Sequence, residues 1–255
     1  MRGATPRSAF QAVARAALSQ IEINARGVLF SDDPEFLHQL RVGTRRLRSA
    51  LRAFRRLVER KGARRLIRSL RKVSPRLGAA RDWDVLVARL ETRGDRQVLD
   101  KARSRRDAAR RAARRVLVAK TFSRIPMQVH GLSMVTQKVP LKAFGAQALT
   151  HAHAKLMKRA RGIDWLDAAQ RHAVRIRLKR LRYSCEFFAP AFPGKGTEAY
   201  VARLKELQDI FGELNDVAVG RRLLGVPGEE KTLLRRLRPA WRAFERRRPF
   251  WRASA

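Results

Sequence analysis

The sequence predicts an all-α protein: two pseudo-symmetric antiparallel helical bundles, four-helix-bundle-like halves that arise from an internal duplication. Three observations carry this prediction. Apolar residues recur at steps of three and four along most of the chain, which is the period of a helix face. No run of alternating apolar and polar residues competes with it. The chain also repeats itself at an offset of 134 residues, the separation of Phe10 from Phe144. At the same offset, and without an insertion, Phe54 pairs with Phe188, Leu70 with Leu204, Gly78 with Gly212, Asp82 with Asp216 and Gly94 with Gly228. The repeats cover residues 10–111 and 144–245, a size at which each could build a core or share one.

Each element follows from local signals. A first helix covers 8–30. The second, over 36–58, aligns Leu37, Leu40, Thr44, Leu47, Leu51, Phe54 and Val58 in one stripe, and Asp32-Asp33-Pro34 supplies its cap and first turn. Helices at 61–77 (apolar Leu66, Ile67, Leu70, Val73 and Leu77), 81–93 and 95–119 complete the half. The second half is expected to have helices at 142–161, 167–189 (capped by Asp164 or Asp167), 197–213, 214–224 and 228–247. Breaks are expected at Gly62, Pro75 to Gly78, Gly94, the Pro190–Gly196 loop, Gly212 and Pro227-Gly228. Residues 1–120 then form the first bundle, 121–140 a connector with Pro126, Gly131 and Pro140, and 141–255 the second bundle.

Charge is the dominant bulk property. Lys and Arg number 59 against 22 Asp and Glu, a net charge of +37. Apolar content of 45% is enough to fold. Self-repulsion on that scale calls for a polyanionic partner: nucleic acid, an anionic membrane or a phosphate polymer. A single cysteine, Cys185, excludes an internal disulfide and sits where the first repeat has Leu51, so a core role is expected. The start of the chain lacks the apolar segment of a signal peptide, and the longest uncharged run, Ile125–Gln137, is too short to span a bilayer. A cytoplasmic protein is expected.

On a helical wheel, His38, Arg41, Arg45, Arg48, Arg52 and Arg55 fill the sector beside the apolar stripe of 36–58, roughly one turn apart. The second copy repeats the row with His172, Arg175, Lys179 and Arg182. Such a row can hold successive anionic groups, and arginine adds bidentate geometry toward phosphate oxygens. The next helix adds Arg64, Arg68, Arg71 and Lys72, whereas its counterpart keeps mainly Arg203 and Lys205, so unequal halves are expected. Acids that would pair with the row are almost absent along 37–58, which favours binding over a merely solvated face.

The two His-x-x-Arg-[Val/Ile] helices, with the segments Leu77-Gly78-Ala79-Ala80-Arg81-Asp82-Trp83-Asp84-Val85 and Leu207-Gln208-Asp209-Ile210-Phe211-Gly212-Glu213-Leu214-Asn215-Asp216, resemble the CHAD domain, the conserved histidine α-helical domain. The resemblance covers nearly the whole chain. It implies two four-helix bundles with internal pseudo-symmetry that bind inorganic polyphosphate through basic residues lining a central groove or pore. It also implies roles for His38, Arg41, Arg45, Arg46, Arg48, His172, Arg175, Lys179, Arg180 and Arg182. Many relatives add a triphosphate-cleaving domain with alternating glutamates. No Glu-x-Glu-x-Lys segment is present here, so a stand-alone, non-catalytic binder is implied.

Weighed singly, the histidines can either contact phosphate or brace the bundle. Asp82, Asp84, Asp209 and Asp216 are read as struts that fix arginines or cap helices, with a metal-dependent phosphohydrolase as the minor alternative. No cofactor and no metal site are expected. His151 and His153 point about 200° apart on a helix and chelate poorly. Trp83, Trp165, Trp241 and Trp251 are spread thinly, which argues against a base-stacking surface. The basic tail Arg246–Arg252 reads as a membrane or RNA contact or as a frayed end. The function expected is polyphosphate binding, possible on polyphosphate granules, with nucleic acid as the competing polyanion.

Overall fold

Helix caps and apolar stripes set the architecture. In the computed structural model, residues 4–92, 96–136, 138–225 and 228–252 are described. The expected breaks at Gly94 and Pro227 lie outside them, as do the first three residues. The long helices are α1 (Pro6–Phe30), α2 (Pro34–Ala53), α3 (Arg60–Glu91) and α4 (Arg96–Val118). Two short helices follow, α5 (Lys120–Ser123) and α6 (Ile125–His130). The remaining long ones are α7 (Leu141–Ala160), α8 (Ala168–Phe188), α9 (Lys195–Leu224) and α10 (Glu230–Glu245). Apart from one isolated bridge, Val58 to Met134, no described residue is in a strand. The fold is all-α.

Two units divide the chain. The first comprises Phe10–Gln137, and the second Lys138–Ala255 with Met1–Ala9. In the first, α2 packs on α3 and α3 on α4. In the second, α7 packs on α8, α8 on α9 and α9 on α10. The expected caps are present. Asp33 accepts from the Glu35 N–H at 2.8 Å with Pro34 in the first turn, and Asp167 accepts from Ala169 and Gln170 at 2.7 and 3.1 Å. The repeated phenylalanines meet within each unit, Phe10 on Phe54 at 5.5 Å between ring centroids and Phe144 on Phe188 at 6.1 Å. Gly43 lets α2 approach α1 closely, since a Cβ there would stand 3.0 Å from Ile21 Cγ1 and 3.3 Å from the Ala17 carbonyl oxygen.

Two expected breaks do not occur, and the one expected at Gly62 falls earlier, before Arg60. Helix α3 runs unbroken through Pro75 and Gly78, and α9 through Gly212. A buried stripe of Leu66, Leu70, Val73, Leu77, Ala80, Asp84 and Val87 continues on both sides of Pro75, whose ring is exposed. Each large apolar side chain in such a stripe contributes about 1.5–3 kcal/mol, which together outweighs the cost of about 3 kcal/mol for an interior proline. Helix α2 stops at Ala53, earlier than expected, because Phe54 turns in to meet Phe10 and the chain passes into the turn that ends at Val58. Arg55 therefore lies beyond the helix that was expected to carry it.

The segment expected as a connector forms α5 and α6, which pack on α3. The C-terminal tail is docked and not frayed. Trp251 is 3% exposed, its indole N–H donates to Thr150 Oγ1 at 3.1 Å, and its ring meets Tyr200 at 5.2 Å. Trp165 and Trp241 join the same aromatic core, with centroids 5.4 Å apart. Cys185 is buried, and burial pushes its thiol pKa up, so it is an unreactive core residue. Among the described residues no helix is long and apolar enough to cross a membrane.

Candidate functional site

No residue of α2 between Leu37 and Ala53 is exposed, so its arginines run along the flanks of a buried stripe and not on an open face. Arg48 is partly buried. Its Nη1 reaches Ser74 Oγ at 3.4 Å, and its Nε is buried without an acceptor. Burial lowers its pKa first, and the guanidinium groups of Arg71 and Arg45 lower it further. Beyond the Ser74 contact, the side chains of Arg45, Arg48 and Arg71 make no hydrogen bond or ion pair with any described residue. Two partly buried cations, Arg45 and Arg48, thus face the exposed guanidinium of Arg71 with no carboxylate among them. Lys72, one position on, is exposed like Arg71.

Arg41 is differently placed. Its Nη1 donates to the Gly78 and Leu77 carbonyls at 2.6 and 3.2 Å and lies 3.8 Å from Asp82. Gly78, expected to be a turn residue, is instead where a guanidinium reaches a helix backbone: a Cβ there would stand 3.7 Å from Arg41 Nη1. The second unit repeats the approach, since a Cβ on Gly212 would stand 3.9 Å from Arg175 Nη2. The Arg–Gly approach recurs between the second and third helices of each unit, and in the first it is a hydrogen-bonded latch.

The two histidines differ, and the difference lies in their partners. His38 is half-buried, and its pKa is lowered by burial, then by Arg81, with smaller contributions from Arg45 and Arg41 that the nearby Glu35 opposes. His172 is exposed, and its Nδ1 shares a hydrogen bond with Asn215 Oδ1 at 3.1 Å. Asn215 occupies the position that matches Arg81. Likewise Arg182, which matches Arg48, is paired with Glu186 and lies 4.8 Å from the Tyr183 ring centroid. Glu186 stands where the first unit has Arg52, and Glu206 where it has Lys72. Arg46, Arg52, Lys179 and Arg180 are partly buried and engaged with neighbours, and Lys205 is exposed.

Comparison with known proteins bears on this arrangement. The CHAD domain family model matches residues 12–225. The chain belongs to the CHAD family. The crystal structure of the CHAD domain from the plant Ricinus communis is 32% identical, covers 98% of this chain and 86% of that one, and superposes with a TM-score of 0.72. PptA from Streptomyces chartreusis is 16% identical, with 96% of this chain and 98% of that chain covered and a TM-score of 0.69, a likeness of fold. No curated protein matches the chain.

Three acids of this CHAD chain, Asp84, Asp32 and Glu230, hold arginines in place. Asp84, with its side chain 1% exposed, holds Arg110 at 2.7 Å, and burial raises its pKa in spite of that partner. Arg110 and Arg114 continue to Asp32, at 3.5 and 2.8 Å, and tie α4 to the start of α2. In the second unit, buried Arg171 pairs with Glu230 and donates to the Trp165 and Leu166 carbonyls. Among the described residues no group of three or more His, Cys, Asp or Glu side chains could hold a metal ion. Sequence reasoning missed Arg81, Arg110 and Arg171. The available signal was that the repeat breaks there, since the matching residues are Asn215, Phe244 and Leu37.

Proposed function

We propose that this CHAD protein binds inorganic polyphosphate without chemically altering it, as a cytoplasmic binding or targeting protein, with the α2 row of the first unit as the stronger contact. The observation that carries the reading is the cluster of Arg45, Arg48 and Arg71. Like charges held together, two of them partly buried, raise the energy of the protein, and a flexible polyanion relieves it. Polyphosphate suits a row spaced along a helix because it offers one anionic group after another and asks for no base-reading surface. Trp241 and Trp251 are buried in the core, which leaves them no part in stacking unpaired bases. Asp84 is tied to Arg110 beneath the surface and so is a poor candidate for catalysis.

The residues to test follow from the structure. Arg41 holds a backbone latch and Arg175 makes the matching approach, so replacing them would confound binding with folding. The double change Arg45→Gln with Arg48→Gln should weaken polyphosphate binding about tenfold or more, some 1.4 kcal/mol, with an unchanged helical circular dichroism spectrum. Arg182→Gln, whose charge Glu186 already offsets, should cost less than threefold. Retained affinity in the double variant would overturn the site. Excess duplex DNA or RNA at matched phosphate should displace labelled polyphosphate poorly. Equal displacement would replace the reading by general polyanion binding.

A further inference from the structure

The first unit holds a second place suited to an anion, beyond the Arg45–Arg48–Arg71 cluster at the C-terminal end of α2. Between α2 and α3 the chain turns over, and the stretch after α6 is laid against it. The Glu59 N–H donates to the Ser133 carbonyl at 2.9 Å, and the Val135 N–H to the Leu57 carbonyl at 2.7 Å. This strapped turn borders a cavity of about 1130 Å³. Leu51, Val58, Ala63, Ile67 and Val135 give it an apolar wall. Arg52, Arg55, Arg56, Arg60, Lys61 and Arg64 surround that wall, with the single carboxylate of Glu59 among them. Arg55, Arg60, Lys61 and Arg64 are exposed and make no side-chain hydrogen bond or ion pair with any described residue.

Two further features belong to the same place. Arg60, Lys61, Ala63 and Arg64 come from the opening of α3, which has no acid in its first turn and no side-chain cap. The positive end of a long helix dipole thus adds to the cations. Val135 is 54% exposed, an apolar side chain left at the cavity mouth.

We propose that this cavity binds a phosphorylated small molecule with a compact apolar or aromatic body, of the size and charge of a nucleoside triphosphate. A bare phosphate chain is hydrated along its whole length and gains nothing from an apolar wall. An amphiphilic phosphate gains twice, by covering Val58, Ile67 and Val135 and by placing its phosphates among Arg55, Arg60, Lys61 and Arg64. The volume suffices, since small-molecule sites commonly span about 300–1,000 Å³. The site does not depend on polyphosphate being the ligand of the α2 row.

Isothermal titration calorimetry of the full chain at low salt, with ATP and with tripolyphosphate as separate probes, tests the proposal. ATP should bind at one site at least threefold more tightly than tripolyphosphate. Arg60→Gln with Lys61→Gln should weaken ATP binding at least tenfold and leave long-chain polyphosphate binding within about twofold, with circular dichroism unchanged. Val135→Ser should reduce ATP affinity without affecting tripolyphosphate. No ATP binding at millimolar concentration would overturn the proposal, and so would equal affinity for the two probes. Loss of ATP binding in the Arg45→Gln/Arg48→Gln protein, with the Arg60 and Lys61 variant unaffected, would assign the ligand to the α2 row instead.

Discussion

His38 condenses the electrostatics of the first unit into one side chain. Burial, Arg81, Arg45 and Arg41 hold its pKa below the ordinary imidazole value, so it is largely neutral near pH 7 in the empty protein. The unfolded chain therefore binds more protons than the folded one between the lowered pKa and about 6.5, and folding stability falls as pH drops through that window. A phosphate placed beside His38 reverses the local field. NMR titration should show the His38 pKa rising when tripolyphosphate or longer polyphosphate is added, with affinity strengthening as pH falls from 7.5 toward 6. An unmoved His38 titration would leave it a brace and not a ligand contact. The arginines Arg45, Arg48 and Arg71 divide from Arg41 at the same scale. All four stand in basic runs of the sequence, yet only Arg41 has a carbonyl within reach.

At the scale of elements, α3 and α4 are joined by a buried charge pair. Asp84 sits on the core side of α3, one helical turn beyond Ala80, and its only strong partner is Arg110. Removing one member of such a pair strands the other in a poorly solvated place. Asp84→Ala should destabilise the protein by about 3 kcal/mol in urea unfolding, toward the low end for broken buried pairs because Arg110 keeps Asp32. A change under about 1 kcal/mol would show that the pair is not a strut. The second unit has Ala218 at the matching position and relies on Arg171 with Glu230 instead, so the duplicated helices are held by different salt links. The identity of these elements was legible in the caps and stripes. Their ends were less so: α3 passes through Pro75 because burial on both sides outweighs a local penalty, and α2 stops at Phe54 because an aromatic pair competes with helix propagation.

For the whole molecule, a charge of +37 makes counterions part of the energetics. Polyphosphate binding should show log K falling linearly with log salt, with a slope of about −3 or steeper if Arg45, Arg48, Arg71 and their neighbours each displace a counterion. Removing Arg45 and Arg48 should flatten the slope by about two. A salt-independent affinity would exclude the electrostatic reading. Fluorescence anisotropy across 50–400 mM salt would measure it.

The sequence by itself determined the helical class, the repeated residue pattern, the helix caps and the basic row, because all of these are periodic or local and survive as patterns along the chain. The family resemblance rested on the same patterns, and the family match agrees with it. Only the tertiary structure decided which basic residues already have partners. Arg182 is offset by Glu186, four residues on, whereas Arg48 is met by Arg71 from another helix. It also decided that the His38 ring lies near Arg81 while His172 is held by Asn215, and that the turn before α3 closes on Val135. The physical reason is the same in each case. Charge along a sequence is a list of signs, but the free energy of each charge depends on burial and on neighbours that arrive from distant parts of the chain.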